Sequence, residues 1–130
     1  MKQLKNLILI QCILFCFTTV MAQNTLETIG LSSSTPAASS YSLRKMSATY
    51  SGPLVRITIG TNYYDVYPDA TSGFFALTSK ISAAVTTYNA AISVATSNNL
   101  STVITTGTTN ATVAIWYDQS GNANNVVQAT

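Results

Sequence analysis

The clearest hydrophobic pattern in the chain is an alternation within residues 54–59. Val55, Ile57 and Ile59 fall on one face, and Arg56 and Thr58 fall on the other. A period of two is typical of a half-buried strand. A three-residue loop begins at Gly60. A second run of strand character, residues 63–67, follows this loop and ends before Pro68. The two runs predict a β-hairpin, with a glycine free to adopt positive φ at its bend.

From Phe74 onward the apolar positions recur at spacings of three and four. They are Leu77, Ile81, Ala84, Val85, Tyr88, Ala91, Ile92 and Ala95. Such a stripe predicts one amphipathic helix inserted between the strands, with its apolar face packed on the core. We expect this helix to end near Ser97-Asn98-Asn99, because short hydroxyl and amide side chains compete for backbone hydrogen bonds.

Strand character returns at residues 113–117, where the odd-numbered side chains would share one face and the even-numbered ones the other. The segment 118–122, with the sequence Asp-Gln-Ser-Gly-Asn, then predicts a turn. The Asp118 carboxylate can accept hydrogen bonds from N–H groups two and three residues further on, and Gly121 supplies the unusual φ. We therefore expect a structural role for Asp118 rather than a catalytic or calcium-binding one.

The beginning of the chain has the organisation of a cleavable signal peptide. Lys2 and Lys5 precede an uncharged apolar run, and Val20-Met21-Ala22 closes it. Export signals have these regions in this order. We expect cleavage after Ala22, so that residues 1–22 are the signal peptide and the mature chain is secreted or at the cell surface. Residues 23–40 are expected to be a lead-in or linker, because they are rich in hydroxyls and lack apolar periodicity.

Two forms of membrane attachment fit this segment less well than a cleavable signal peptide does. A spanning helix needs about 20 consecutive apolar residues, and the apolar run is shorter and is interrupted by Gln11. A lipid-modified cysteine is normally preceded by a small residue, whereas Cys12 follows Gln11 and Cys16 follows Phe15. We therefore expect no membrane attachment after cleavage and no cysteine in the mature chain.

Composition then limits the chemistry. The chain has no histidine, which excludes Ser-His and Cys-His nucleophile systems, and with the cysteines removed it leaves no zinc site. Beyond residue 22, four basic side chains balance four carboxylates. A neutral chain has no electrostatic footprint for nucleic acid. We expect no cofactor and no metal, and only carboxylates, hydroxyls and aromatic rings remain for function.

Two stretches of the chain resemble a known family. The first, residues 41–56, reads YSLRKMSATYSGPLVR, and the second, residues 116–125, reads WYDQSGNANN and is followed by Gln128. In this order they are similar to the start of the catalytic domain of α-L-arabinofuranosidase B, a secreted glycoside hydrolase with a concanavalin-like β-sandwich. Ala123 stands where that family usually has glycine. The second motif also recurs in laminin-G-like lectin domains of the same architecture.

The resemblance implies a mainly β fold, a partial concanavalin-like sandwich or jelly roll, for which residues 41–130 would be the N-terminal portion of a truncated domain. It implies a retaining hydrolase that removes arabinofuranosyl side chains from plant polysaccharide. The family's two catalytic carboxylates and its cysteine pair lie downstream of the second motif, so no catalytic residue is assigned among residues 1–130 and this segment alone is expected to be inactive. The alternative is a non-catalytic, lectin-like carbohydrate-binding or adhesion domain. In either case the expected partner is a polysaccharide or oligosaccharide.

Overall fold

The structure is a computed structural model that describes residues 25–31, 37–105 and 109–128. These residues form one six-stranded antiparallel sheet with the strand order β4-β3-β2-β1-β5-β6. The strands are β1 (Val55–Ile59), β2 (Asn62–Val66), β3 (Lys80–Ser82), β4 (Ala95–Asn99), β5 (Thr112–Trp116) and β6 (Val126–Val127). The described helical structure is a single turn, α1 (Thr25–Thr28), and a 3₁₀ turn at Leu100–Thr102. The prediction of a mainly β fold is confirmed, whereas the sandwich and jelly roll stay predictions.

The predicted hairpin is present as β1 and β2. Arg56 pairs with Asp65, and Ile59 pairs with Asn62 at the end of the ladder. The connecting loop is therefore Gly60-Thr61, one residue shorter than the sequence suggested. Gly60 has a φ of 60°, a left-handed conformation that the tight bend needs and that glycine adopts without a steric penalty.

The predicted inserted helix is wrong. Ile81 lies in β3, and Ala95 begins β4 on the opposite side of a long connection. Leu77 before β3, and Tyr88 and Ile92 along that connection, are each about half exposed, so the stripe does not form one buried face. The apolar stripe with its alanines favours a helix only weakly here, because the β-branched and hydroxyl residues between the apolar positions lower helix propensity. In addition, a sheet edge is available for pairing.

The predicted strand at 113–117 is present as β5, but its faces differ from the expectation. The pairing with β1 shifts by one residue, because Arg56 pairs with Ile115 while Ile57 pairs with Val113. This bulge at Ala114 reverses the faces on its N-terminal side. Val113 therefore packs with Trp116 against the main core, while Ile115 and Tyr117 lie together in a second cluster.

The main core lies on one face of the sheet. Its buried members come from β1, β2, β3 and the 3₁₀ turn: Val55, Ile57, Val66, Ile81 and Leu100. This agrees with the alternation predicted for β1. The opposite face is also covered, since Arg56 and Asp65 are 0% and 1% exposed. Coverage of both faces explains why β1 is the most completely buried strand.

The signal-peptide prediction, residues 1–22, lies outside the described residues. Part of the lead-in is described: Leu26 in α1 is buried, and its N–H donates to the Met46 carbonyl at 3.0 Å. Within the described ranges, no helix has the length and apolar character that crossing a bilayer requires.

Candidate functional site

The Asp118 turn does more than close a strand. Asp118 Oδ1 accepts the Ser120 N–H at 2.9 Å, which is the bond predicted two residues further on, and also the Ser40 N–H at 2.8 Å. Its Oδ2 accepts the Ser120 hydroxyl at 2.8 Å and the Asn124 N–H at 3.1 Å. Burial alone would raise the pKa of Asp118, but these hydrogen bonds outweigh it and leave the pKa lowered. The carboxylate is thus charged and saturated, in the structural role that we expected.

Gln119 holds the first motif through its side-chain amide. Its Oε1 accepts the Met46 N–H at 2.8 Å, and its Nε2 donates to the carbonyls of Ser42 and Arg44 at 3.1 and 2.9 Å. Its backbone N–H donates to the Ser40 carbonyl at 2.8 Å. Gln119 is 2% exposed, so all of these bonds are made away from solvent, where leaving them unmade would be costly.

Two of the three asparagines of the second motif, Asn122 and Asn124, complete this junction. Asn122 Nδ2 donates to the carbonyls of Ala37 and Ala38 at 2.7 and 3.1 Å, and Asn124 Nδ2 donates to Ala38 at 2.9 Å. In the other direction, the Tyr41 hydroxyl donates to the Asn124 carbonyl. We call the contact between residues 37–46 and residues 118–125 the motif junction. The two motif stretches, far apart in sequence, are therefore one structural unit.

A cavity of about 280 Å³ adjoins the motif junction. Its walls are Leu26, Leu31, Ala37, Ser47, Thr49, Tyr50, Ser51, Gly52, Gln119, Ser120 and Gly121. Several of its polar groups already have partners: the Tyr50 hydroxyl donates to the Pro53 carbonyl at 2.6 Å, and the Ser47 hydroxyl donates to Glu27 at 2.6 Å. The pKa of Tyr50 is raised, mainly by burial. The Tyr50 side chain therefore lines the cavity as a neutral phenol.

A second polar cluster lies on the sheet face opposite the main core. Arg56 Nε and Nη2 donate to the two carboxylate oxygens of Asp65, each at 2.8 Å. The Tyr117 hydroxyl donates to Asp65 Oδ1 at 2.7 Å. Burial, and then the nearby carboxylate, raise the pKa of Tyr117, while the hydrogen bond to Asp65 raises the pKa of Arg56. The pair is therefore a charged, bidentate bridge.

The other two carboxylates are also committed to the fold. Glu27 accepts the Ala48 N–H at 2.9 Å in addition to the Ser47 hydroxyl, and the Ser47 bond is the main cause that lowers its pKa. Asp69 accepts the N–H groups of Thr71 and Ser72, and its pKa falls to about 2, chiefly through the Ser72 bond. All four carboxylates of the chain thus hold local structure.

Retaining glycoside hydrolysis requires a nucleophile and an acid/base carboxyl about 5 Å apart. A carboxylate that already accepts several backbone and hydroxyl hydrogen bonds is a poor proton carrier, because these bonds stabilise its charged form. The geometry of Glu27, Asp65, Asp69 and Asp118 suits them to positioning backbone segments. For Glu27, Asp69 and Asp118, whose pKa values are lowered, the same bonds are unfavourable to acid–base chemistry.

The cluster of Arg56, Asp65 and Tyr117 was not predicted from the sequence. The alternation along β1 placed Arg56 away from the apolar face, which is correct, but a half-buried strand would have left it in solvent. The available signal was the hairpin register: a two-residue loop sets Arg56 directly opposite Asp65, and opposite charges that face each other across strands attract. The third member, Tyr117, comes from β5 and has no local signal.

Comparison of the chain with protein families, with curated proteins and with solved structures finds no match.

Proposed function

We propose that the chain is part of an exported, carbohydrate-directed protein of the α-L-arabinofuranosidase B-like kind. The observation that carries the proposal is the motif junction. Gln119 of the second motif is hydrogen-bonded to the backbone of Ser42, Arg44 and Met46 in the first motif. Asp118, Asn122 and Asn124 bind the backbone of residues 37–40, which lead directly into it. A resemblance that rested on chance matches in two separate stretches would have no reason to join them in space.

Within this proposal, residues 37–128 act as frame rather than as catalyst. Each of the four carboxylates holds a turn, the motif junction or the Arg56 bridge. The same observation favours the second candidate function, a lectin-like domain that binds carbohydrate without cleaving it. Sugar binding needs hydroxyl and amide groups beside aromatic rings, and it makes no demand for a free acid.

The test uses the protein secreted from a host that processes signal peptides. We expect a product that begins at Gln23, identified by intact mass, because the basic, apolar and small-residue regions occur in order. A folded, soluble product that retains residues 1–22 would contradict the export part of the proposal.

The secreted protein is then assayed with an aryl α-L-arabinofuranoside and for retention on insoluble arabinan. We expect retention that soluble arabino-oligosaccharides reverse, with cellulose and mannan as control matrices. We expect no hydrolysis above background, since neither a nucleophile nor a general acid is free. Absence of retention would refute the carbohydrate-directed function. Turnover that disappears in Asp69→Asn or Glu27→Gln would refute the frame role of the carboxylates.

A further inference from the structure

The connection between β3 and β4 crosses the face of the sheet that carries Arg56 and Asp65. Val85 is held at its start by a two-way backbone bridge with Tyr63, at 2.8 and 3.0 Å. We call the following residues, 86–94, the strap. No strap residue is buried; Tyr88 is 43% exposed, Ile92 52% and Val94 85%. The strap therefore gains little from the hydrophobic effect, which is proportional to the apolar area removed from water.

Its attachment is polar and converges on one ion pair. Arg56 Nη1 donates to the carbonyls of Tyr88 and Ala90 at 2.7 and 2.6 Å, and Nη2 donates to the Ala91 carbonyl at 3.2 Å. On the other side of the bridge, Asp65 Oδ2 accepts the Ser93 N–H at 3.0 Å. The strap thus contributes main-chain atoms only, and the sheet contributes both charges.

The guanidinium of Arg56 has five N–H donors in a fixed fork, and every one has an acceptor here. Two point at Asp65, and the other three are matched by the three strap carbonyls. One further tie joins the strap to the sheet, because the Tyr67 hydroxyl donates to the Ser93 carbonyl. Hydrogen bonds in such a network strengthen one another. Because the bonds between the strap and the sheet centre on Arg56, we expect them to break together.

We propose that the Arg56–Asp65 bridge is a latch, and that the strap opens as a unit when the latch is removed while the six-stranded sheet stays folded. The main core lies on the opposite face and contains no strap residue. Low-stability segments of proteins are those with few buried apolar contacts, and the strap meets that description, whereas β1, β2 and β3 contribute the buried residues of the main core. Opening would uncover the face that bears Arg56, Asp65 and Tyr117.

The peptide bond after Tyr88 offers a direct report on the latch. Chymotrypsin cleaves after tyrosine, and it must bind the scissile segment in an extended form with the carbonyl in its own active site. The Tyr88 ring is accessible, but its carbonyl oxygen is held by Arg56. Cleavage at this bond therefore requires that the latch releases, and its rate follows the population of the open strap.

The main experiment removes the polar network as a whole. The triple variant Arg56→Met, Asp65→Leu, Tyr117→Phe removes both charges and the hydroxyl, so none of them is left buried without a partner. Proteins often tolerate such exchanges, because the cost of desolvating two charges offsets much of the stabilisation that a buried ion pair gives. In the mature chain we expect the thermal transition to remain cooperative and the chymotrypsin rate after Tyr88 to rise at least about tenfold. Arg44→Met is the matched control, since the Arg44 guanidinium lies over the Phe74 ring, 5.6 Å from its centroid; it should leave the rate unchanged.

A second measurement uses the unaltered chain. At low chymotrypsin concentration the first cut should fall after Tyr88, located by mass spectrometry, and the two fragments should remain associated because β3 and β4 pair across the cut. Three results would overturn the proposal: first cuts within β1, β2 or β5 in the unaltered chain, a triple variant whose strap resists cleavage as well as the parent does, or a triple variant in which the sheet unfolds together with the strap.

Discussion

Asp118 Oδ1 accepts the backbone N–H of Ser40 at 2.8 Å, across a separation of 78 positions in the sequence. The bond is buried and joins the end of β5 to the segment that precedes the first motif. Since the same oxygen also closes its own turn, one carboxylate shapes both a local and a long-range feature. The stability of the motif junction should therefore depend strongly on this residue.

We predict that Asp118→Ala lowers the free energy of unfolding by about 3 kcal/mol, because four accepted hydrogen bonds are lost and the buried Ser40 N–H is left unpaired. Asp118→Asn keeps an oxygen for Ser40 and Ser120, and should cost about 1 kcal/mol. Urea unfolding followed by circular dichroism measures both. Equal effects of the two substitutions, or an effect below about 0.5 kcal/mol for alanine, would argue against the junction role.

We predict that Gly52→Ala is destabilising by about 2 kcal/mol through overpacking. A Cβ at this position would lie 2.5 Å from the Tyr50 hydroxyl oxygen, which would force the ring away from its bond to Pro53. Gly60→Ala is the matched control, because nothing lies within 4 Å of its added Cβ and only its positive φ is penalised. In the background Tyr50→Ala, the added cost of Gly52→Ala should disappear. A persistent cost there would show that backbone conformation, and not the tyrosine, requires the glycine.

We predict that Ala123→Gly stabilises the protein by about 0.5 kcal/mol. Ala123 has a φ of 57°, a left-handed conformation that an L-residue with a Cβ adopts at a cost of about 1–2 kcal/mol, partly offset by the greater freedom of glycine in the unfolded chain. Ala83→Gly, in a loop without this conformation, should be destabilising instead. Thermal midpoints of the two variants, measured side by side, should move in opposite directions. A fall in both would contradict the strain at Ala123.

We predict that the stabilising role of Asp69 is lost in acid. Its folded pKa of about 2 lies below the ordinary 3.8, so its contribution is present above the ordinary value and disappears as the pH falls through about 2. Urea midpoints of the parent and of Asp69→Asn should differ at pH 5 and converge toward pH 2. Parallel curves over this range would mean that the bonds to Ser72 and Thr78 do not favour the charged form.

The hairpin and the Asp118 turn could be predicted because their determinants are local. Alternation along β1 defines its apolar face, and Gly60 permits the bend. The helix expected from Phe74 to about Ser97-Asn98-Asn99 was wrong because the determinants of this region are not local. Spacings of three and four are compatible with a helix, but the pairing of Lys80 with Asn99 and of Ser82 with Ala95 joins positions that no local pattern relates.

The apolar face of β1, the turn at Asp118 and the neutrality of the chain beyond residue 22 follow from the sequence alone. Periodicity, turn chemistry and net charge are properties of neighbouring or summed residues. Three features could be seen only in the folded chain: Arg56 is buried, β5 carries a bulge, and Gln119 holds Ser42, Arg44 and Met46. Each of these depends on a contact between segments distant in sequence. The energy of such a contact comes from satisfying polar groups after burial, and burial exists only once the sheet has assembled.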